Sequence, residues 1–90
     1  MIGTGSTPRF ARSTKFRLDT VRDAWVVLAP ERLFLPDEHA IEILKLVDGQ
    51  RSVQGIAEAL AERFSAPAEV ISDDVVAMLQ DLADKGVIEI

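Results

Sequence analysis

The chain has 90 residues, of which 48% are hydrophobic and 28% are charged, and its formal net charge is −5. This length allows one small domain, and the composition is that of a folded protein rather than a disordered one. Because there is no cysteine, disulfides and thiolate metal sites are excluded. No apolar run approaches the ~20 residues that cross a bilayer. We therefore expect a soluble, cytoplasmic domain.

The first 22 residues are basic, whereas the rest of the chain is acidic. Residues 1–22 carry five basic side chains and one acidic, and residues 23–90 carry five basic and fourteen acidic ones. This separation fits self-docking of a basic arm or charge-guided binding of a partner. A solvated arm on a solvated body fits it equally well. Residues 1–8, MIGTGSTP, predict a flexible tail before a domain over residues 9–90.

Extended segments occupy the first third of the chain. Loose alternation of apolar and polar residues predicts strands near 15–19, 24–29 and 32–35, with a turn over Thr20–Asp23. Segments this close in sequence predict a small antiparallel meander.

The third predicted strand has the features of a sheet edge. It is short and apolar, and Pro36 ends it. Because neighbouring strand residues point to opposite faces, the run Leu33, Phe34 and Leu35 puts apolar side chains on both faces. One face can pack on helices. The other needs a cover, which the N-terminal arm, a second copy of the protein or an extended peptide could provide.

Three amphipathic helices are predicted after this strand. Asp37 and Ser52 are suited to cap the starts of the first two, and Pro67 to begin the third. Gly49 and Gly86 predict the ends of the first and third helices. Apolar residues recur at three- and four-residue spacing, which indicates one buried face on each helix. These residues are Ala40, Ile43, Leu44 and Val47 in the first helix, Val53, Ile56, Ala57, Leu60 and Phe64 in the second, and Ile71, Val75, Met78, Leu79 and Leu82 in the third.

The order of elements predicts the fold class. Three strands precede three helices joined by short loops, and the last four residues, VIEI, predict a short strand or a packed tail. This pattern predicts an α+β domain of winged helix-turn-helix type, with a three-stranded antiparallel sheet followed by three α-helices.

Catalysis and metal binding have little support in the sequence. His39 is the only histidine, and a surface histidine is the ordinary interpretation at the first turn of a helix. Asp73, Asp74, Asp81 and Asp84 crowd the third helix, but no histidine or loop of alternating ligands accompanies them. We expect no enzymatic activity, no cofactor and no bound metal.

DNA binding is the alternative function for a winged helix. The second helix of a helix-turn-helix enters the major groove. Here that helix would span residues 67–85, with five acidic residues and one lysine. Because phosphate contacts supply most non-specific affinity, this surface would repel DNA. We keep a DNA-binding regulator as the weaker hypothesis.

Three motifs carry a resemblance to a known family. They are WVVLAPER at 25–32, ILKLVDG at 43–49 followed by RSV at 51–53, and DVVAMLQDLADKG at 74–86. In this order and at these separations, residues 9–88 resemble the PqqD family of pyrroloquinoline quinone (PQQ) biosynthesis.

The resemblance implies a stand-alone, non-catalytic recognition domain with a winged-helix fold. Proteins of this family bind the precursor peptide PqqA and present it to PqqE, a radical S-adenosylmethionine enzyme that joins a glutamate and a tyrosine within the peptide. Related domains take up a leader peptide as an added strand, in a groove lined by the third helix.

Transferred to this sequence, the resemblance implies a peptide site formed by the third strand and the third helix. Arg32 could pair with an acidic residue of the peptide. Self-association is also possible at an exposed edge, for example by exchange of residues 1–14 between two copies, so monomer and homodimer both remain open. The implied site residues are Arg32, Leu33, Phe34 and Leu35 in the strand, and Asp74, Val75, Met78, Leu79 and Leu82 in the helix.

Overall fold

The computed structural model describes residues 2–90 and contains two small sheets and three helices. Strands β2, β3 and β4 form an antiparallel sheet in that order, and β1 pairs with β5 in a separate two-stranded sheet. In that part of the chain, no helix combines the length and apolarity needed to cross a bilayer. The elements are β1 (Arg9–Phe10), β2 (Lys15–Asp19), β3 (Ala24–Ala29), β4 (Arg32–Phe34), α1 (Glu38–Leu44), α2 (Val53–Phe64), α3 (Ala68–Asp84) and β5 (Ile88–Glu89).

The predicted meander is confirmed, and its last strand ends one residue early, at Phe34. In the antiparallel register, Val27 lies opposite Phe16 on β2 and Phe34 on β4. Directly opposite residues share a face of the sheet. These three side chains therefore lie on the face that packs on the helices, where Val27 belongs to the core. Within the described chain β4 pairs with β3 alone, so it is the predicted edge strand.

The predicted starts of the first two helices are also confirmed, and Pro67, predicted in the first turn of the third, directly precedes it as the N-cap. The carboxylate of Asp37 accepts a hydrogen bond from the Ala40 amide at 2.9 Å, and the Ser52 hydroxyl accepts one from the Gly55 amide at 3.0 Å. These bonds satisfy amides that have no partner inside the helix. Gly86 adopts φ +80° just after the end of α3, as a left-handed helix stop requires.

The predicted end of the first helix at Gly49 was wrong. Helix α1 ends at Leu44, and the amides of Leu46 and Val47 then bond to carbonyls three residues back. Such tighter bonds end a helix early without a glycine. Gly49 does adopt φ +78°, but in the loop between α1 and α2.

Asp48 stabilises that loop. Its carboxylate accepts hydrogen bonds from the amides of Arg51 and Gln50, both at 2.8 Å. These two bonds, helped by the Arg51 charge, hold the pKa of Asp48 below its ordinary value of 3.8.

We expect the stabilising effect of this charge to depend on pH. A carboxyl group whose pKa is lowered by folding stabilises the fold above its unfolded pKa, and the effect is lost as the pH falls through the folded pKa. Asp48→Asn should therefore have a lower free energy of unfolding than wild type at about pH 7, and the difference should shrink below about pH 4. Urea denaturation across this range measures it. A difference that does not change with pH would contradict the assignment.

The apolar face predicted for the second helix is buried except at its C-terminal end. Val53, Ile56, Ala57 and Leu60 lie in the core, but Phe64 is 53% exposed, so its predicted burial was wrong. Phe64 is the last residue of α2, beyond the part of the helix that packs on the core. Its ring is contacted by the Arg63 guanidinium, 5.2 Å from the ring centre.

The first residues contact the helices, unlike the loose tail predicted for residues 1–8. The carbonyls of Thr4 and Ser6 accept hydrogen bonds from the first two amides of α2, at 2.9 and 2.8 Å. Ile2 is 3% exposed, and its amide donates to Gln80 on α3. The helix start supplies donors that need acceptors, and the tail carbonyls provide them. Met1 lies outside the described residues.

The C-terminal residues form the predicted short strand. Phe10 pairs with Ile88 and Arg9 with Glu89, and the two charged side chains approach to 3.5 Å. The start of the basic segment is thereby paired with the last strand of the chain.

Candidate functional site

The open edge of β4 presents backbone hydrogen-bonding groups. Residues 30–31 form a two-residue turn, across which Ala29 lies opposite Arg32. The closing pair of such a hairpin is hydrogen-bonded, and hydrogen-bonded and non-hydrogen-bonded pairs alternate along the ladder. Leu33 therefore lies at a non-hydrogen-bonded position. Its N–H and C=O point away from β3, toward the side on which β4 has no partner.

The side chains of β4 divide between two faces, as its sequence predicted. Phe34 packs against the core, whereas Leu33 is 42% exposed. Leu35, just past the strand, is 66% exposed, and Arg32 is exposed at the hairpin end. Two leucines next to an unpaired strand edge are what an added strand could cover.

A cleft of about 600 Å³ lies among the three helices, and the residues that line it include Asp37, three residues after β4. We call it the helical cleft. Its volume is within the range of small-ligand and peptide side-chain pockets. Apolar side chains form most of its wall, and polar side chains form the rest. The apolar residues are Ala40, Ile43, Leu60, Phe64, Ile71, Val75 and Met78, and the polar ones are Asp37, His39, Glu42 and Asp74.

The carboxylates of the helical cleft differ in their partners. Asp37 caps α1, and Glu42 forms ion pairs with Arg63 and with Lys45, the latter at 3.8 Å. Asp74 is exposed, and within the described chain its side chain takes part in no ion pair or hydrogen bond. Asp74 is therefore the acidic group best placed to meet a basic side chain of a ligand.

The structure brings together only part of the predicted helix set. Asp74, Val75 and Met78 line the helical cleft. Leu79 has no exposed surface, and Leu82 is half-buried against the core. Neither of these two leucines lines the cleft, and both pack against the core.

Several cleft residues come from helices that the sequence did not implicate. His39, interpreted as a surface histidine, lies at the cleft, as do Ala40 and Ile43 of α1. Phe64 continues the apolar stripe of α2 one turn past the buried part. The apolar face of α2 is one turn longer than the part that the core buries, and this extra turn was the feature of the sequence that could have indicated the cleft. The described residues include no group of three His, Asp or Glu side chains placed to hold a metal ion.

Comparison with known proteins identifies the family. The profile of the family described as Coenzyme PQQ synthesis protein D (PqqD) matches residues 24–88. The chain is also 49% identical over 85 residues to the PqqA binding protein of Bradyrhizobium diazoefficiens, and the match covers 94% of this chain and 82% of that protein.

Two solved structures share the α+β fold. The solution NMR structure of the PqqD truncation of Methylobacterium extorquens PqqCD has a TM-score of 0.85 at 40% identity, covering 100% of this chain and 96% of that one. It represents a functional, stand-alone recognition element for ribosomally synthesized and post-translationally modified peptides. The crystal structure of PqqD from Xanthomonas campestris has a TM-score of 0.59 at 35% identity, covering 94% of both chains.

These relatives confirm the predicted α+β fold. They are described as binding or recognition proteins, which also confirms the prediction of a non-catalytic protein. The match spans most of the chain, including all three predicted motifs. The chain therefore belongs to the PqqD family.

Proposed function

We propose that this protein is a non-catalytic peptide chaperone of PQQ biosynthesis. It binds the precursor peptide PqqA by strand addition at β4 and presents it to the radical S-adenosylmethionine enzyme PqqE in the cytoplasm. The observation that carries this proposal is the open edge of β4, with the backbone of Leu33 directed outward and Asp37, three residues further on, lining the helical cleft. The PqqA binding of relatives supports the choice of peptide.

The edge and the cleft supply different parts of the affinity. Each backbone hydrogen bond contributes about 0.5–1.5 kcal/mol net, whereas full burial of one large apolar side chain contributes about 1.5–3 kcal/mol. An exposed ion pair at Arg32 adds only about 0.2–1 kcal/mol. Most of the affinity should therefore come from apolar side chains in the cleft, and the strand hydrogen bonds fix the position of the peptide.

One short peptide can engage both surfaces. The three residues from Phe34 to Asp37 span at most about 10 Å, and an extended peptide advances about 3.3 Å per residue. A peptide segment of roughly six to eight residues is then long enough to pair with β4 and to place a side chain in the cleft.

Presentation requires that the enzyme contact a surface other than the peptide site. The occurrence of PqqD joined to PqqC in Methylobacterium extorquens supports a role beside other proteins of the pathway. The protein acts as a monomer or a homodimer in this proposal, and a dimer that covered β4 would compete with the peptide.

The structure adds no support to DNA binding. All four aspartates of α3 named above are exposed, so a groove-binding α3 would bring carboxylates to phosphates.

Isothermal titration with synthetic PqqA tests the proposal. We expect saturable 1:1 binding of PqqA and none of a peptide of the same composition in scrambled order. Addition of the protein should also speed the PqqE-catalysed joining of glutamate and tyrosine, while the protein alone leaves PqqA unchanged. Absence of PqqA binding, together with retardation of duplex DNA at physiological salt, would favour the regulator instead.

A further inference from the structure

The two ends of the proposed peptide site carry opposite charge. Arg32 is exposed at the hairpin end of β4, and no ion pair of Arg32 occurs among residues 2–90. At the other end, Asp37 and Asp74 line the helical cleft, and Asp74 is unengaged. Phe34 and most of the cleft wall are apolar, and the remaining lining groups are His39 and Glu42, the latter already paired with Arg63 and Lys45.

Arg32 lies on the side of the sheet that faces the helices. Arg32 is two residues from Phe34, so both side chains leave the same face of β4. Phe34 packs on the core, which identifies that face as the helix side. A peptide strand added beside β4 would point every second side chain to this same face.

The spacing between the charges limits the peptide that fits. Arg32 and Asp37 are five residues apart, so their backbones are separated by at most about 18 Å. An extended peptide covers that distance in about five or six residues. Two peptide charges that meet Arg32 and Asp37 should therefore be no more than about six residues apart.

Backbone pairing alone does not fix the direction of the added strand. Parallel and antiparallel ladders both satisfy the N–H and C=O groups of an edge strand. Opposite charges at the two ends do distinguish the directions, because a reversed peptide would bring like charges together.

We propose that this site reads charge order: it takes an extended peptide with an acidic side chain near Arg32, an apolar anchor in the helical cleft and a basic side chain near Asp74. This inference rests on the proposed function and specifies the chemistry of its ligand. The same charge pattern sets the direction in which the peptide lies along β4.

Matched charge variants test each end. Asp74→Asn removes the cleft charge, and Asp73→Asn is its control, because Asp73 is also exposed but lines a separate hollow. Arg32→Glu is matched by Arg17→Glu, on the face of the sheet opposite the neighbouring core residue Phe16. Titration with PqqA should show about two- to fivefold weaker binding for Asp74→Asn and Arg32→Glu at low salt. Both effects should vanish at about 1 M salt, and both controls should bind as wild type does.

A charge scan of the peptide identifies the partners. Each acidic or basic residue of PqqA is replaced in turn by glutamine and titrated against wild type, Asp74→Asn and Arg32→Glu. The effect of one basic substitution should disappear in Asp74→Asn, and the effect of one acidic substitution should disappear in Arg32→Glu.

Spin labels on the peptide test the direction independently of affinity. Because the protein has no cysteine, a nitroxide on a cysteine placed in PqqA labels the peptide alone. A label beside the acidic partner should broaden amides at 29–33, and one beside the basic partner should broaden those at 37–40 and 74–78. The reverse pattern would overturn the charge order.

The inference and the proposed function can fail separately. If PqqA binds wild type but Asp74→Asn behaves like Asp73→Asn, charge reading is wrong and strand addition stands. If PqqA does not bind wild type at all, the proposed function fails and the inference fails with it.

Discussion

Replacing Leu33 by proline should abolish PqqA binding while the helices stay folded. Leu33 directs its N–H away from β3, so proline removes a bond that the peptide would make and none that holds the hairpin. The ring also occupies the open edge. Loss of one backbone bond costs about 0.5–1.5 kcal/mol, and exclusion of the adjacent peptide residues adds to it, so we expect affinity to fall by more than about tenfold. Calorimetric titration measures the affinity, and circular dichroism verifies the helices.

Two further variants control for the site of the proline. Leu33→Ala keeps the N–H and removes only a partly exposed side chain, so binding should weaken modestly. Phe34→Pro removes an N–H that bonds to β3 and should disrupt the hairpin itself. Wild-type affinity in a folded Leu33→Pro protein would rule out strand addition at β4.

A large loss of stability is expected at Leu79. Its side chain has no exposed surface and packs in the core with residues of all three helices. Leu79→Ala should therefore lower the free energy of unfolding by about 2–5 kcal/mol. This is a large part of the total of about 5–15 kcal/mol expected for a domain. Because Leu79 does not line the helical cleft, the protein that remains folded should bind PqqA with unchanged affinity.

The neighbouring Met78 provides the contrast. It lines the helical cleft and is partly buried, so Met78→Ala should weaken PqqA binding and destabilise the fold less than Leu79→Ala does. Urea denaturation gives the stabilities, and titration below the unfolding transition gives the affinities. An equal loss of affinity in the two variants would contradict the division of α3 into a core face and a cleft face.

Local patterns in the sequence were sufficient for most elements of the fold. The meander followed from alternation, and Asp37 and Ser52 act as caps because each carries a short acceptor just before an apolar helix. The end of the first helix was wrongly predicted at Gly49 because a glycine with positive φ occurs in loops as well as at helix ends. The contacts of Thr4 and Ser6 could not be read from sequence, since they depend on where α2 begins in space.

Local sequence patterns predicted only the strand of the candidate site, and the cleft residues Asp74, Val75 and Met78 were implied by the family resemblance. Edge character depends on Pro36 and a run of apolar residues that are adjacent in sequence. The helical cleft instead combines three helices that are far apart in the chain. Phe64 follows the buried Leu60 by one helical turn on the same face, and periodicity cannot show that the core ends between them. Periodicity also assigned Leu79 and Met78 to the same apolar face of α3, although only Met78 lines the cleft.

The most direct test is to titrate unlabelled PqqA into the isotope-labelled protein and follow its backbone amide resonances. Strand addition predicts shifts concentrated at residues 32–36 and along the cleft face of α3, around Asp74, Val75 and Met78. Shifts confined to the basic residues before β3, or no shifts at all, would contradict peptide binding at the β4 edge.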